Sequence, residues 1–151
     1  MALQGRKYFH KDFQNMTEQE LALKYQAIAA NQSLLDAIMG GDWATYEMLC
    51  DKTLTCLEPE APGQVVVGLD FHKFYFAPGM GSPPKRIQTT MANIEAHVCG
   101  DVVVLAYIRM VQLANMDGSC HTKFTAETRV WKKTDTGLKH IHLHRTPLAT
   151  V

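Results

Sequence analysis

Apolar positions follow two regimes along this chain. Between Thr17 and Cys50 they recur at three- and four-residue steps; beyond Ile87 they tend to alternate. Thr17 and Glu20 stand at capping-box spacing, where a hydroxyl and a carboxylate satisfy orphan amides, so a helix is predicted to about Met39. Leu21, Tyr25, Ile28, Leu35 and Met39 make its expected apolar face. Gly40-Gly41 supplies a C-cap, and Asp42 caps a second short helix with Trp43, Tyr46 and Leu49 inward. Thr53 to Leu57 and Val65 to Val67 read as short strands separated by a Pro-rich turn. The apolar run from Gly68 to Ala77 suits a buried helix or strand equally well, and residues 78–85, PGMGSPPK, form a loop.

The last third carries the strongest signal. A strand is expected from Ile87 to Val98. Val102 to Asn115, Cys120 to Lys133 and Leu138 to Arg145 follow, rich in β-branched and aromatic residues and separated by turns containing Asp and Gly. The predicted architecture is α+β, with helices on one face of a curved antiparallel sheet. The expected division is a tail over 1–15, one domain over 16–147 and a tail over 148–151. The first tail carries Tyr8, Phe9 and Phe13 and is either a frayed terminus or a docking segment.

Composition narrows the partners. The 151 residues are 46% apolar and 20% charged, ordinary for one globular domain. Lys+Arg and Asp+Glu both number 15, which argues against nucleic acid or an anionic membrane as partner. The four cysteines form no CxxC pair and read as reduced core thiols of a cytoplasmic protein; no secretory signal or membrane-spanning run is recognised.

Three arginines change the picture. Arg109 shares a strand face with Val103, Leu105, Tyr107 and Val111, Arg129 with Trp131, and Arg145 with Ile141 and Leu143. An unpaired buried charge is too costly to keep. Each guanidinium must therefore meet a carboxylate, with Glu58, Glu60, Asp70 and Glu127 available, or line a wet cavity that grips a carboxylate ligand bidentately. Register decides whether they converge. Arg129 pairs with Leu143, and Trp131 with Ile141, if Asp135-Thr136-Gly137 forms a three-residue loop. A two-residue turn at Asp117-Gly118 would instead place Arg109 opposite Ala126, on the wrong face, so a bulge or an odd loop is predicted between Met110 and Thr125.

Other candidates are weaker. His140, His142 and His144 alternate and are expected on one strand face, but no further ligand is evident there, so neither a metal nor any other cofactor is predicted. Asp70 and His72 could form an acid–base pair, or Asp70 caps the segment and His72 is a core histidine. Nucleotide-binding, kinase, serine-hydrolase and zinc-protease signatures are not found.

GLDFHKFYF (68–76), AYIR (106–109), ETRVW (127–131) and HLHR (142–145), with GGDWATYEMLCD (40–51) and LEPEA (57–61), resemble the association, or hub, domain of calcium/calmodulin-dependent protein kinase II. The resemblance covers about Leu23 to Thr146. It implies a nuclear-transport-factor-2-like cone, a strongly curved sheet wrapped around a long N-terminal helix with two shorter helices. It also implies a non-catalytic scaffold: a homo-oligomer of about 12–20 subunits, built from dimers stacked in two rings, that gathers kinase domains. Arg109, Arg129 and Arg145 then match pocket arginines and His72 a histidine near the mouth, with Tyr107 and Glu127 beside them. Small carboxylates or acidic segments, such as a kinase regulatory segment, are the implied occupants. The loop 78–85 departs from a family loop that often carries an aromatic. The family's kinase and calmodulin-binding segments are not recognised in this sequence, which reads as an excised domain or a stand-alone hub. Enzymes of the same fold, the polyketide cyclases and ketosteroid isomerases, are the alternative; they need a carboxylate or His base in an otherwise apolar cavity.

Overall fold

The computed structural model describes residues 16–77 and 86–151; the aromatic-bearing tail 1–15 and the loop 78–85 lie outside the described residues. Helix α1 spans Glu18–Gly40. Its capping box forms as expected: the Thr17 hydroxyl accepts from the Glu20 amide at 3.1 Å, and the Glu20 carboxylate accepts from the Thr17 amide at 2.8 Å. Gly41, at φ +67°, ends the helix in the left-handed conformation that glycine adopts without steric penalty.

The buried stripe of α1 keeps Leu35 of the expected face, with Ile28 packed against the core, and otherwise differs from it. Leu23, Ala27, Asn31, Leu34, Leu35 and Ala37 are buried, whereas Tyr25 is 57% exposed. The inward stripe passes through a small residue and an amide, which a search for large apolar side chains skips. Asn31 tolerates burial because its Oδ1 accepts from Trp131 Nε1 at 3.0 Å and its amide nitrogen approaches Met91 Sδ at 2.9 Å.

Helix α2, Trp43–Leu49, is capped by Asp42 and buries Tyr46. Strand β1 (Cys50–Leu57) follows, then the two-residue β2 (Val66–Val67). The ambiguous stretch resolves as helix: α3, Asp70–Lys73, continues into a 3₁₀ turn over Phe74–Phe76. Four long strands complete the chain: β3 (Arg86–Cys99), β4 (Val102–Ala114), β5 (Cys120–Thr134) and β6 (Gly137–Thr150). Residues 148–150, expected as tail, are strand, and Val151 exchanges backbone hydrogen bonds with Thr122.

The sheet order is β2-β1-β6-β5-β4-β3. It is not purely antiparallel: β1 runs parallel to β6. Such a pairing links segments some ninety residues apart and leaves no local signature. Asn93 sits at φ +52° where the β3–β4 register shifts, a bulge that bends the edge strand; asparagine tolerates that conformation better than most residues.

Two loops set the register of the long strands. Asn115 bonds Ser119 across the three-residue loop Met116-Asp117-Gly118. This odd loop pairs Arg109 with Thr125 and brings it onto the face of Glu127 and Arg129, as convergence required. The β5–β6 connection has two residues, Asp135-Thr136, because Thr134 pairs with Gly137. Arg129 still pairs with Leu143, because Ile141 is inserted as a bulge between the Trp131–His140 and Val130–His142 pairs. Trp131 therefore meets His140, not Ile141, and His140 rather than Ile141 points inward.

Strands β4, β5 and β6 each turn one buried face inward. Val103, Leu105, Tyr107 and Arg109 of β4, Glu127, Arg129 and Trp131 of β5, and His140 and Leu143 of β6 form it. Cys50 and Cys56 are core thiols as expected, but Cys99 and Cys120 are exposed. The opposite face is also apolar at its centre. Val102, Val104, Ala106, Ile108 and Met110 of β4 lie beside Phe124, Ala126, Thr128 and Val130 of β5, all only half-buried.

Candidate ligand pocket

The inner face ends in a cluster of charges. Glu127 is buried between Tyr107 and two arginines. Tyr107 donates to its Oε2 at 2.6 Å, Arg129 Nε donates to the same oxygen at 3.0 Å, and Arg109 Nη1 stands 3.6 Å from Oε1. Arg129 Nε also donates to the Tyr107 oxygen at 3.0 Å. Tyr107 pairs with Glu127 and Arg109 with Thr125 across β4 and β5, so this cluster is a consequence of register.

Burial raises the Glu127 pKa, but the Arg129 and Arg109 guanidiniums and the Tyr107 hydroxyl outweigh it and hold the carboxyl near 2. Burial also pushes the Tyr107 phenol up to about 12 and depresses Arg109. Arg129, although only 2% exposed, is raised: Tyr107 and Glu127 more than offset burial. Its Nη1 lies 3.4 Å from His140 Nε2, so the neutral ring accepts there and carries its proton on Nδ1. Burial and the Arg129 charge push His140 well below 6.5. His140 thus faces the core, while the bulge separates it from His142 and His144; the three do not share a face.

A second cluster closes the open side. Arg145 bonds Glu60 and stands 3.5 Å from Glu58 Oε2, and His72 Nε2 lies 2.7 Å from Glu58 Oε1. The expected partners Glu58, Glu60 and Glu127 are therefore used. Asp70 is exposed and makes no side-chain capping bond, and the partner of His72 is Glu58, so an Asp70–His72 pair does not form. Burial raises Glu58, but His72 and Arg145 prevail and lower it.

A cavity of about 250 Å³ lies between the clusters. Arg109, Arg129, Arg145 and His72 line it with Glu58 and Glu60, while Ile38, Met39, Tyr46 and Leu143 supply apolar wall. Tyr107 and Glu127 stand behind the wall and support Arg129 instead of lining it. Tyr75, half exposed, also lines the cavity. Among the described residues, the buried side-chain polar atoms without a partner are Arg109 Nη2 and His72 Nδ1. Sequence reasoning missed Cys56. It sits near the end of β1, two residues before Glu58, and its thiol, Glu58 and His72 place three ligand-type atoms within 4.8 Å of one another.

The two core ionisations set an acid response. Unfolded His140 takes up a proton below about 6.5 and the folded ring does not, so stability is full above that pH and declines below it. Glu127 contributes stability above 4.5 that is lost between 4.5 and about 2. Melting temperature scanned against pH should fall in these two stages. His140→Gln should flatten the upper one; a melting temperature constant from pH 7 to 5 would contradict the His140 assignment, and one constant from pH 4.5 to 2 the Glu127 assignment.

Solved NTF2-like proteins from Streptomyces avermitilis and Salmonella enterica, 19 and 20% identical, share the architecture at a TM-score of 0.69 each, a likeness that shows the fold alone. The chain belongs to the calcium/calmodulin dependent protein kinase II association domain family, whose sequence model matches residues 23–149. It is 40% identical over 131 residues to the calcium/calmodulin-dependent protein kinase type II alpha chain of Drosophila melanogaster, covering 86% of this chain and 25% of that one. The chain thus spans a quarter or less of the curated kinases it matches. Among solved structures it is similar to the Chlamydomonas reinhardtii hub homology domain (TM-score 0.77, 42% identity, 83% of this chain and 98% of that one). It is also similar to the association domain of the C. elegans kinase (TM-score 0.78, 38% identity, 86% and 99%).

Proposed function

We propose that this chain is a non-catalytic oligomerisation scaffold that closes into a two-layered ring of about 12–20 copies and gathers kinase domains in the cytoplasm. The observation that carries this reading is the outer sheet face. In a solitary domain the solvent face of an antiparallel sheet alternates to polar residues. Here, of nine consecutive outward positions on β4 and β5, only Thr128 is polar. A face this apolar at the sheet's centre calls for a cover, and a second copy of the chain offers one in a family named for association.

The cavity supports a second role, reception of small carboxylates or an acidic segment, in which His72, Arg109, Arg129 and Arg145 form the wall and Tyr107 and Glu127 position it. Arg145 is already engaged by two glutamates. Arg109 is the better anchor, because its Nη2 is buried without a partner and an unmet buried donor carries a desolvation cost that an acceptor removes. The enzyme alternative needs a free base, whereas Glu127 is tied to two guanidiniums and a phenol.

Calorimetric titration with acetate, propionate and butyrate tests the cavity. Binding should weaken as salt rises. Loss of one charge-assisted contact in Arg109→Gln should cost about 1.5–3 kcal/mol, tenfold or more in affinity, with the assembly mass unchanged. Equal affinity in wild type and variant would make the arginines structural ion pairs only.

A further inference from the structure

The cavity wall holds a donor set that carboxylate binding does not use. Cys56 is buried near the end of β1, and Glu58 follows one residue beyond the strand's last residue, Leu57. His72 comes from α3, and its Nε2 already touches Glu58 Oε1 at 2.7 Å. One sulfur, one nitrogen and one oxygen thus lie within 4.8 Å of one another. We infer that Cys56, Glu58 and His72 form a binding site for a zinc-like divalent transition metal, with the fourth position open to the cavity.

Three donors of this kind plus an open position match the ligand count of exchangeable zinc sites. Tetrahedral bonds of about 2.0–2.3 Å set ligand atoms about 3.5 Å apart. The set must therefore spread slightly between His72 and Glu58 and contract elsewhere, by side-chain rotation on a fixed strand and helix. The ion replaces the His72–Glu58 hydrogen bond through the same two atoms. The ring proton moves to His72 Nδ1, and the Cys56 thiol becomes a thiolate, releasing its proton to solvent. A thiolate–imidazole–carboxylate set selects zinc or cobalt over magnesium or calcium, which prefer oxygen alone.

Charge bookkeeping decides the fourth ligand. Without an ion, Arg109, Arg129 and Arg145 balance Glu58, Glu60 and Glu127. A divalent ion with the Cys56 thiolate adds one net positive charge, so the open position takes an anion or hydroxide. Glu58 bridges the ion to Arg145, whose Nη2 stands 3.5 Å from its other oxygen, and so orients the carboxylate.

Cobalt(II) is the probe, because it takes zinc's tetrahedral place and shows intense thiolate-to-metal absorption. The full chain is used with Cys99→Ser and Cys120→Ser, which remove the exposed thiols. One cobalt per chain should bind with that absorption and be displaced by zinc. Cys56→Ser should abolish the absorption, His72→Gln should weaken binding about a hundredfold or more, and Cys50→Ser should leave it unchanged. If Cys56→Ser fails to fold, His72→Gln decides. The inference is overturned if no stoichiometric absorption appears, if it survives Cys56→Ser in a folded chain, or if His72→Gln binds as the parent does. Assembly mass and butyrate binding are read on the same samples; metal failure with both intact overturns the metal site alone.

Discussion

Glu127→Gln should destabilise the folded chain by about 3–5 kcal/mol, the cost of leaving a buried cation without its counter-charge. The side chain keeps its shape, so packing changes little and the effect is electrostatic. Arg129 is buried beside it, and Arg109 loses its carboxylate as well. In the folded chain the carboxylate paired with both is Glu127, and neither forms an ion pair with Glu58 or Glu60. Against a typical domain stability of about 5–15 kcal/mol the loss is severe, and denaturant midpoints should show it directly. Arg129→Met on top of Glu127→Gln removes both charges and should restore a large part of the loss, because a buried pair replaced by apolar volume is often close to neutral. A single variant within about 1 kcal/mol of wild type would mean that water, and not Glu127, neutralises the arginines.

Ile108→Glu should abolish large assemblies while leaving the protomer folded. Ile108 faces outward between Ala92 of β3 and Ala126 of β5, at the middle of the apolar face. On a solitary domain a charge there sits on the surface and changes stability by about 0.5 kcal/mol or less. Beneath a second copy it is buried without a partner, at a cost of several kcal/mol for every contact of this kind in the ring. Circular dichroism and sedimentation separate the two effects: the spectrum should persist and the sedimentation coefficient collapse. A variant that assembles like wild type would place the interface elsewhere on the protomer.

What the sequence could disclose followed the range of the interaction responsible. The inner face of β4 was legible because Val103, Leu105, Tyr107 and Arg109 alternate over a regular strand, and alternation is local. The odd loop that brings Arg109 to Arg129 was required by strand geometry before any coordinates. On α1, Ile28 and Leu35 were legible as inward, but Ala27 and Asn31 were not, because they are inward for reasons of space and of a bond to Trp131, a hundred residues away. The inward face of β6 was half right: Leu143 and Arg145 hold, but the bulge at Ile141 hands the next inward position to His140, and a bulge is set by tertiary fit. The β1–β6 parallel pairing and the meeting of Cys56, Glu58 and His72 depend on segments folding back on each other, for which pattern gives no notice. Exposed Cys99 and Cys120 show the limit of residue-type averages: cysteine is commonly buried, but these two stand at strand ends.

The account stands or falls on self-association, and native mass spectrometry of the unmodified chain measures it most directly. At micromolar concentration the predicted result is a closed species of about 12–20 copies, even in number because dimers are stacked in two layers. A stable monomer, or a dimer that grows no further as concentration rises, would contradict it.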